Sequence, residues 1–305
     1  MLVFYSDAAN KRCGVSVSTA KTLPCYAPFQ PITNRLAQGR FMTFYLDMAS
    51  LDIPCVIVPP SAPHTHTVVF LHGRGDNAQN FAAPLNHSRD SYGRTLIQAF
   101  PSFRWVFPQA PIRPCASSPD IWPQWFDVWN VRDFADREEL QAEGLKEVIP
   151  VIRRILAHEA AALESRWDRV VLAGISMGAA TSVHTLFNLN VPATGGGRLA
   201  AFLGFSCRCP FAGRTLGEMR SVLGLEGVPG HDDVLRETPI LLEHCVDDPL
   251  VLVQNGRGLR DVLQGFGARV EWREYPSGGH WFNSLAGMDD AVRFLNFYVL
   301  GVPPA

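Results

Sequence analysis

Residues 174–178, Gly-Ile-Ser-Met-Gly, form the pattern Gly-x-Ser-x-Gly, in which a serine can act as a nucleophile. An apolar, β-branched run at residues 169–173 precedes the pattern, and an alanine-rich segment follows it. A strand that passes into a helix through such a turn holds its serine in a strained backbone conformation with the hydroxyl exposed, and the glycines leave room for the sharp reversal. Ser176 is therefore the candidate nucleophile for acyl transfer.

A serine hydroxyl is a weak nucleophile unless a general base lies beside it and a carboxylate orients that base. In folds that use this turn, the acid and the histidine follow the serine along the chain. Asp247 and Asp248 directly follow an apolar run at residues 239–245, so either carboxylate is a candidate acid. His280 lies in a Gly-rich loop after the next apolar run and is the candidate base.

Acyl transfer also needs backbone N–H groups that point at the developing oxyanion. The amide of Met177, directly after the candidate nucleophile, is one expected donor. Arg74 lies between two glycines in an early loop, where its N–H can turn toward the site, and it is the expected second donor. His72 precedes the serine in the chain, so we expect it to hold this loop by hydrogen bonds.

An aromatic-rich segment at residues 107–129 is a candidate wall for an acyl chain or a hydrophobic leaving group. Its aromatic side chains fit two roles equally well, a pocket wall and packing against the sheet. Trp125 is the best wall candidate. We predict that Trp125 and Leu71 bind the substrate.

Seven short apolar runs alternate with longer segments of helical periodicity. The predicted strands are residues 53–58, 67–71, 104–107, 169–173, 199–205, 239–245 and 268–274. The predicted helices are residues 136–163, 176–189, 251–266 and 285–300. This alternation predicts an α/β fold with a mainly parallel central sheet flanked by helices on both faces, and with the ligand site at the carboxyl ends of the strands. The Gly-rich segments 195–197 and 213–230 are interpreted as surface loops.

Composition excludes several classes of function. The 27 basic and 29 acidic residues give a formal net charge of −2, without the basic excess that attracts nucleic acid. Seven cysteines without a Cys-x-x-Cys pair argue against a disulfide framework and a structural zinc site. No apolar run approaches the roughly 20 residues of a transmembrane helix. Because the N-terminus also lacks the order of a secretory signal, we predict a cytoplasmic protein.

Six ordered motifs resemble the phospholipase/carboxylesterase family of α/β-hydrolases, whose familiar members are the acyl-protein thioesterases. They are Phe-Leu-His-Gly-x-Gly-Asp at 70–76, Phe-Pro-x-Ala-Pro at 107–111, Trp-Phe-Asp at 125–127, Gly-x-Ser-x-Gly at 174–178, Asp-Pro-Leu-Val at 248–251 and Gly-His at 279–280. The resemblance implies a catalytic triad of Ser176, Asp248 and His280, and so favours Asp248 over Asp247. It also implies that the amides of Arg74 and Met177 form the oxyanion hole.

The resemblance implies an α/β-hydrolase domain at residues 51–305. The preceding residues 1–50 have no counterpart in the family, and we predict a poorly ordered N-terminal extension there. Met48 lies a few residues before the first predicted strand and is a candidate alternative start. Met177 stands where the family usually has Gln, Cys245 replaces a glycine, and the segment 210–237 is longer than its family equivalent, which leaves the substrate range open.

The implied activity is hydrolysis of a carboxylic ester or thioester through an acyl-enzyme intermediate, with no metal or organic cofactor. A small-molecule ester or an acylated protein would be the substrate. A palmitoyl thioester on a protein cysteine, a lysophospholipid and a small carboxylic ester all remain open. The alternative from a different class is a catalytically silent scaffold that binds a small molecule in the same cleft.

Overall fold

A seven-stranded sheet forms the centre of the protein in a computed structural model that describes residues 51–82, 85 and 87–303. Its strands, in chain order, are β1 (Cys55–Val58), β2 (His66–Leu71), β3 (Phe103–Pro108), β6 (Val170–Ile175), β7 (Ala201–Phe205), β8 (Ile240–Cys245) and β9 (Val270–Tyr275). The spatial order is β1-β3-β2-β6-β7-β8-β9. Only the β1–β3 pair is antiparallel among these strands. A separate antiparallel hairpin consists of β4 (Ile112–Pro114) and β5 (Ile121–Pro123).

Helices cover both faces of the sheet. They are α1 (Ala78–Ala82), α2 (Leu96–Ala99), α3 (Glu139–Ala161), α4 (Met177–Phe187), α5 (Leu216–Leu223), α6 (Asp233–Glu237), α7 (Val253–Gly265) and α8 (Ala286–Tyr298). One hydrophobic core contains side chains of α3 to α7, and the other contains side chains of α1, α2 and α8. No helix in the described part of the chain is both long and apolar enough to span a bilayer.

Strand β2 shows why the apolar runs of this sequence form strands. Val69 and Leu71 belong to one core, whereas Val68 and Phe70 belong to the other. Successive side chains of a strand point to opposite faces, so a strand that is covered on both faces is apolar at every position. All four side chains are accordingly at most 1% exposed.

The predicted fold class is confirmed. Each of the seven predicted strands and four predicted helices corresponds to an observed element, with boundaries that agree to within three residues. Because the strands of the parallel part of the sheet point the same way, the loops after β2, β6, β8 and β9 meet at one edge, where the sequence predicted the ligand site. The predicted extension at residues 1–50 lies outside the described residues.

The loop prediction for residues 213–230 is wrong in part, because α5 begins there. Thr215 is its N-cap: the Thr215 side chain accepts from the Glu218 backbone, and the Glu218 side chain accepts from the Thr215 backbone. The sequence signal for this capping box is Thr-x-x-Glu, which was present at residues 215–218. Leu216, Met219 and Leu223 of α5 are buried in the core, which stabilises the helix although Gly217 disfavours it.

Candidate active site

Ser176 occupies the turn between β6 and α4. Its backbone has φ 55° and ψ −123°, a conformation that a non-glycine residue adopts only at a cost of about 1–3 kcal/mol. The Ser176 N–H donates to the Phe205 carbonyl at 2.9 Å, which ties the turn to the neighbouring strand. A Cβ atom on Gly178 would lie 2.4 Å from the carbonyl oxygens of Leu71 and His72. The second glycine of the motif is therefore needed for α4 to approach β2 this closely.

His280 and Asp248 are joined by a hydrogen bond of 2.8 Å between Nδ1 and Oδ2. The Asp248 carboxylate is buried, and its Oδ1 accepts the backbone N–H groups of Leu250 at 2.9 Å and Val251 at 3.0 Å. An ionised carboxylate can only accept, so His280 donates its Nδ1–H. Nε2 of His280 is then the nitrogen that is able to accept a proton.

Burial raises the pKa of Asp248, but hydrogen bonds with His244 and His280 and the charge of His280 outweigh burial and hold this pKa well below its ordinary value. Asp248 is therefore ionised at neutral pH. His244 has its Nε2 atom 2.7 Å from the Val251 carbonyl and 3.3 Å from Asp248 Oδ2. His244 was not among the predicted site residues, although it lies four positions before Asp248 in the sequence.

The neighbouring Asp247 has different contacts. Its carboxylate accepts the backbone N–H groups of Gly279 at 2.8 Å and Gly278 at 3.3 Å. Asp247 thus holds the backbone of the loop that carries His280, and Asp248 contacts the imidazole. Of the two candidate acids, the structure brings Asp248 to His280.

A cavity of about 560 Å³ lies at this edge of the sheet, and Ser176 and His280 both line it. Among the described residues, the Ser176 hydroxyl makes no hydrogen bond, whereas Nδ1 of His280 is engaged by Asp248. Catalytic hydrogen bonds are often long before substrate binds and shorten in the complex. The arrangement therefore places the candidate nucleophile and the candidate base at one cavity, with the imidazole already oriented by Asp248.

The two predicted oxyanion donors also line this cavity. The backbone N–H groups of Arg74 and Met177 donate to no other described residue, so both remain available. A Cβ on Gly73 would lie 3.5 Å from Cβ of Ser176, which puts the loop of Arg74 next to Ser176. The Arg74 side chain is held by Gln124 through a hydrogen bond of 2.8 Å.

His72 holds the loop as predicted. Its Nε2 accepts the Ala110 N–H at 3.0 Å, which leaves Nδ1 to donate to the Gly73 carbonyl at 2.7 Å. Burial lowers the pKa of His72, so the ring is neutral and can accept at one nitrogen while it donates at the other. Trp125 adds a third bond, because its indole N–H donates to the His72 carbonyl at 2.8 Å.

The prediction that Trp125 and Leu71 bind substrate is wrong. Both side chains are 0% exposed, and neither lines the cavity. Trp125 is turned under the loop by its bond to His72, and Leu71 points into the core because strand alternation directs it there. The apolar lining includes residues for which the sequence predicted no substrate contact, namely Val128, Val131, Phe134, Ile175, Leu250 and Trp281.

A family model for phospholipase/carboxylesterase matches residues 54–299. The chain belongs to the phospholipase/carboxylesterase family. Its relatives include acyl-protein thioesterase 1 of Gibberella zeae, 28% identical over 239 residues that cover 76% of this chain and 91% of that protein. Acyl-protein thioesterase 1 of Schizosaccharomyces pombe is 29% identical over 197 residues, which cover 64% of this chain and 74% of the relative.

The crystal structure of Zea mays acyl-protein thioesterase 2 is similar with a TM-score of 0.61 at 24% identity, over 81% of this chain and 99% of the other. That likeness shows a shared α/β-hydrolase fold. This member of the phospholipase/carboxylesterase family is a hydrolase of carboxylic esters or thioesters. The family predicted from the six motifs is confirmed.

Proposed function

We propose that Ser176, His280 and Asp248 form the catalytic triad of this hydrolase, with the amides of Arg74 and Met177 as its oxyanion hole. The observation that carries the proposal is the 2.8 Å bond between His280 and the buried, ionised Asp248 at the cavity that Ser176 lines. The strained backbone of Ser176 supports it, because such strain persists where the surrounding structure imposes it and clusters at active sites.

In this mechanism, Ser176 Oγ attacks the carbonyl carbon of the substrate while His280 Nε2 takes the hydroxyl proton. The carbonyl oxygen gains the negative charge and receives the two backbone N–H groups. His280 then passes its proton to the leaving alcohol or thiol, and the acyl group stays on Ser176 as an ester. A water molecule, activated by His280 in the same way, attacks this ester and releases the carboxylic acid.

The proposed substrates are acyl thioesters and esters whose acyl group enters the cavity, including acylated proteins. Its volume of about 560 Å³ lies within the usual range of ligand pockets, and much of its lining is apolar. Leu250 and Val131, which line the cavity, are 61% and 55% exposed, so their apolar side chains are available to contact the lipid chain of an acylated protein. The relatives named acyl-protein thioesterase support the thioester half of the proposal.

We propose a cytoplasmic location for this activity. The five cysteines in the described part of the chain are free thiols, as is usual in a reducing compartment.

The triad is tested with a fluorophosphonate probe, which reacts covalently with activated serines. Wild-type protein should be labelled, and Ser176→Ala should not. Ser182→Ala is a matched control, because the Ser182 hydroxyl is buried and donates to the Ala173 carbonyl. A folded wild type that resists the probe would contradict the proposal and favour a silent binding scaffold.

The acyl group is tested by hydrolysis of 4-nitrophenyl esters of increasing chain length and of a palmitoylated peptide. Turnover of the peptide is expected under the thioesterase proposal. If only short esters react, the protein is a carboxylesterase for small substrates, and the long-chain thioester proposal is wrong.

A further inference from the structure

Arg208 is a buried cation in the wall of the candidate active-site cavity. It follows β7 by three positions and is only 7% exposed, yet it lines the same cavity as Ser176 and His280. Arginine is almost never buried without a partner of opposite charge. A carboxylate partner is therefore expected for this side chain.

The contacts that hold Arg208 are neutral. Its Nη2 donates to Oε1 of Gln141 at 2.7 Å, and its guanidinium lies 4.0 Å from the ring centre of Phe134. A second ring, Phe126, is 5.6 Å away. These groups fix the plane of the guanidinium, and a cation over an aromatic face is stabilised. They supply no negative charge.

No carboxylate of a described residue forms an ion pair with Arg208. Glu138 is the acidic neighbour whose charge acts on it, but the Glu138 carboxylate accepts the backbone N–H of Phe211. Burial lowers the pKa of Arg208 to about 10, so the side chain is still cationic at neutral pH. Beyond the bond to Gln141, its N–H groups donate to no described side chain, although a guanidinium has five donors.

Positive charges outnumber negative ones around the cavity. Arg74 and Arg132 line it together with Arg208, and Asp76 is the one carboxylate among its described lining residues. Arg74 has Asp127 at 3.9 Å, but Arg132 makes no ion pair with a described residue. A cleft with an excess of one sign concentrates ligands of the opposite sign.

We propose that the cavity takes ester or thioester substrates that carry a carboxylate, and that Arg208 binds this carboxylate. The inference rests on the proposed function, since it concerns the substrate of the same site. Guanidinium and carboxylate form paired, parallel N–H···O bonds, which would use the donors that the protein leaves unpaired. The carboxylate can belong to the acyl part, as in a half-ester of a dicarboxylic acid, or to the leaving group.

Two matched pairs of esters separate these sources. Mono(4-nitrophenyl) glutarate and 4-nitrophenyl pentanoate have five-carbon acyl groups that end in a carboxylate and in a methyl group, respectively. The pentanoate esters of 4-hydroxybenzoate and 4-hydroxybenzamide differ in the charge of the leaving group. The measured quantity is the ratio of kcat/KM for the charged ester over the neutral one, which cancels general damage to the site.

Wild-type protein should prefer the charged ester of at least one pair by about tenfold or more. Arg208→Met should lower that ratio by about 10- to 100-fold, the usual range for a hydrogen bond to a charged group, mainly through KM. Arg208→Lys keeps the positive charge but lacks the paired N–H donors of a guanidinium. Its ratio of kcat/KM should therefore lie between those of wild type and Arg208→Met. Arg153→Met is the control: Arg153 donates to the carbonyls of Glu226 and Gly227 away from the cavity, and its ratio should match wild type.

Gln141→Glu is a second test that keeps Arg208. Oε1 of Gln141 accepts from Arg208 at 2.7 Å, so a glutamate at this position would form an ion pair with Arg208 and neutralise its charge. The preference for the charged ester should fall.

Wild-type protein that hydrolyses the neutral esters without preferring either charged one overturns the inference and leaves the triad intact. A ratio that survives in Arg208→Met also overturns it. Wild-type protein that neither turns over any ester nor reacts with the fluorophosphonate probe contradicts the proposed function itself. If Arg208→Met does not fold, the wild-type ratio, Arg208→Lys and Gln141→Glu still decide the question.

Discussion

Replacing Asp248 by Asn removes the negative charge while it keeps the shape of the side chain. Oδ1 of Asp248 accepts the backbone N–H groups of Leu250 and Val251, and these donors cannot face the NH₂ group of an asparagine. The Asn side chain must therefore present its oxygen to the backbone and its NH₂ group to His280. Because NH₂ is a donor, Nδ1 of His280 must then accept, and its proton moves to Nε2. The nitrogen that should take the proton of Ser176 is blocked.

The expected loss is large. In addition to the wrong tautomer, the imidazolium that forms during the reaction loses its counter-ion. Opposite unit charges roughly 4 Å apart interact by about 4 kcal/mol at an effective dielectric constant near 20, which corresponds to about 10³-fold in rate. We expect kcat/KM of Asp248→Asn for a 4-nitrophenyl ester to fall by about 10³- to 10⁴-fold, with residual activity from the oxyanion hole.

Asp247→Asn is the matched control, because it changes the adjacent carboxylate in the same way. Asp247 contacts only the backbone of the His280 loop, at Gly278 and Gly279, so its replacement should lower kcat/KM less than tenfold. Thermal unfolding of both variants checks that each is folded. Asp248→Asn within tenfold of wild type, or Asp247→Asn as the more damaging change, would refute the assignment of the acid.

Three further substitutions test other parts of the structure. Gly178→Ala puts a Cβ 2.4 Å from the Leu71 carbonyl oxygen, so the start of α4 must shift and kcat/KM should fall by about 10²-fold or more, as for loss of an oxyanion donor; activity near wild type would contradict this. Trp125→Phe leaves the His72 carbonyl without its indole donor and should lower the free energy of unfolding by about 1–3 kcal/mol in denaturant titration, with no change in acyl-chain preference, because Trp125 does not line the cavity. Burial lowers the pKa of His184 to about 4, below its ordinary value near 6.5. Between these pH values the unfolded chain binds more protons than the folded one, so the free energy of unfolding should fall by up to about 3 kcal/mol as the pH drops from 6.5 to 4. His184→Gln should make the free energy of unfolding less dependent on pH in this range, and an unchanged slope would contradict the assignment.

The sequence predicted the sheet well for a physical reason. Strands such as β2 and β6 are covered on both faces, so residues 68–71 of β2 and all six residues of β6 are apolar, and such uninterrupted runs differ from the periodic pattern of the helices. The hairpin of β4 and β5 was not predicted, because each strand has three residues and includes a proline and exposed positions. Strands of three residues are too short to show the alternation of apolar and polar side chains that predicts a half-buried strand.

The candidate nucleophile and base were predictable because short patterns constrain them locally. The choice between Asp247 and Asp248 depended on the resemblance, since neighbouring carboxylates after a strand have the same local sequence signal. Their separate tasks follow from the path of the loop around His280. The misassigned Trp125 shows a second limit: an aromatic residue near a site has the same sequence signal whether it faces the cavity or supports the loop beneath it.

Arg208 was missed for a third reason. Charged residues are normally exposed, and only the packed structure reveals that this one lies between Gln141 and an aromatic ring.

The groups proposed to transfer protons and those proposed to hold the substrate are carried by different loops. Ser176 and His280 follow β6 and β9, whereas Arg208 follows β7 and Phe134 lies between β5 and α3. Substitutions at Arg208 and Phe134 can therefore accumulate without displacing Ser176 and His280. Selection can therefore change which substrate such an enzyme binds while the reaction stays the same. Libraries randomised only at Arg208 and Phe134 should yield variants with altered substrate selectivity and an intact acylation step.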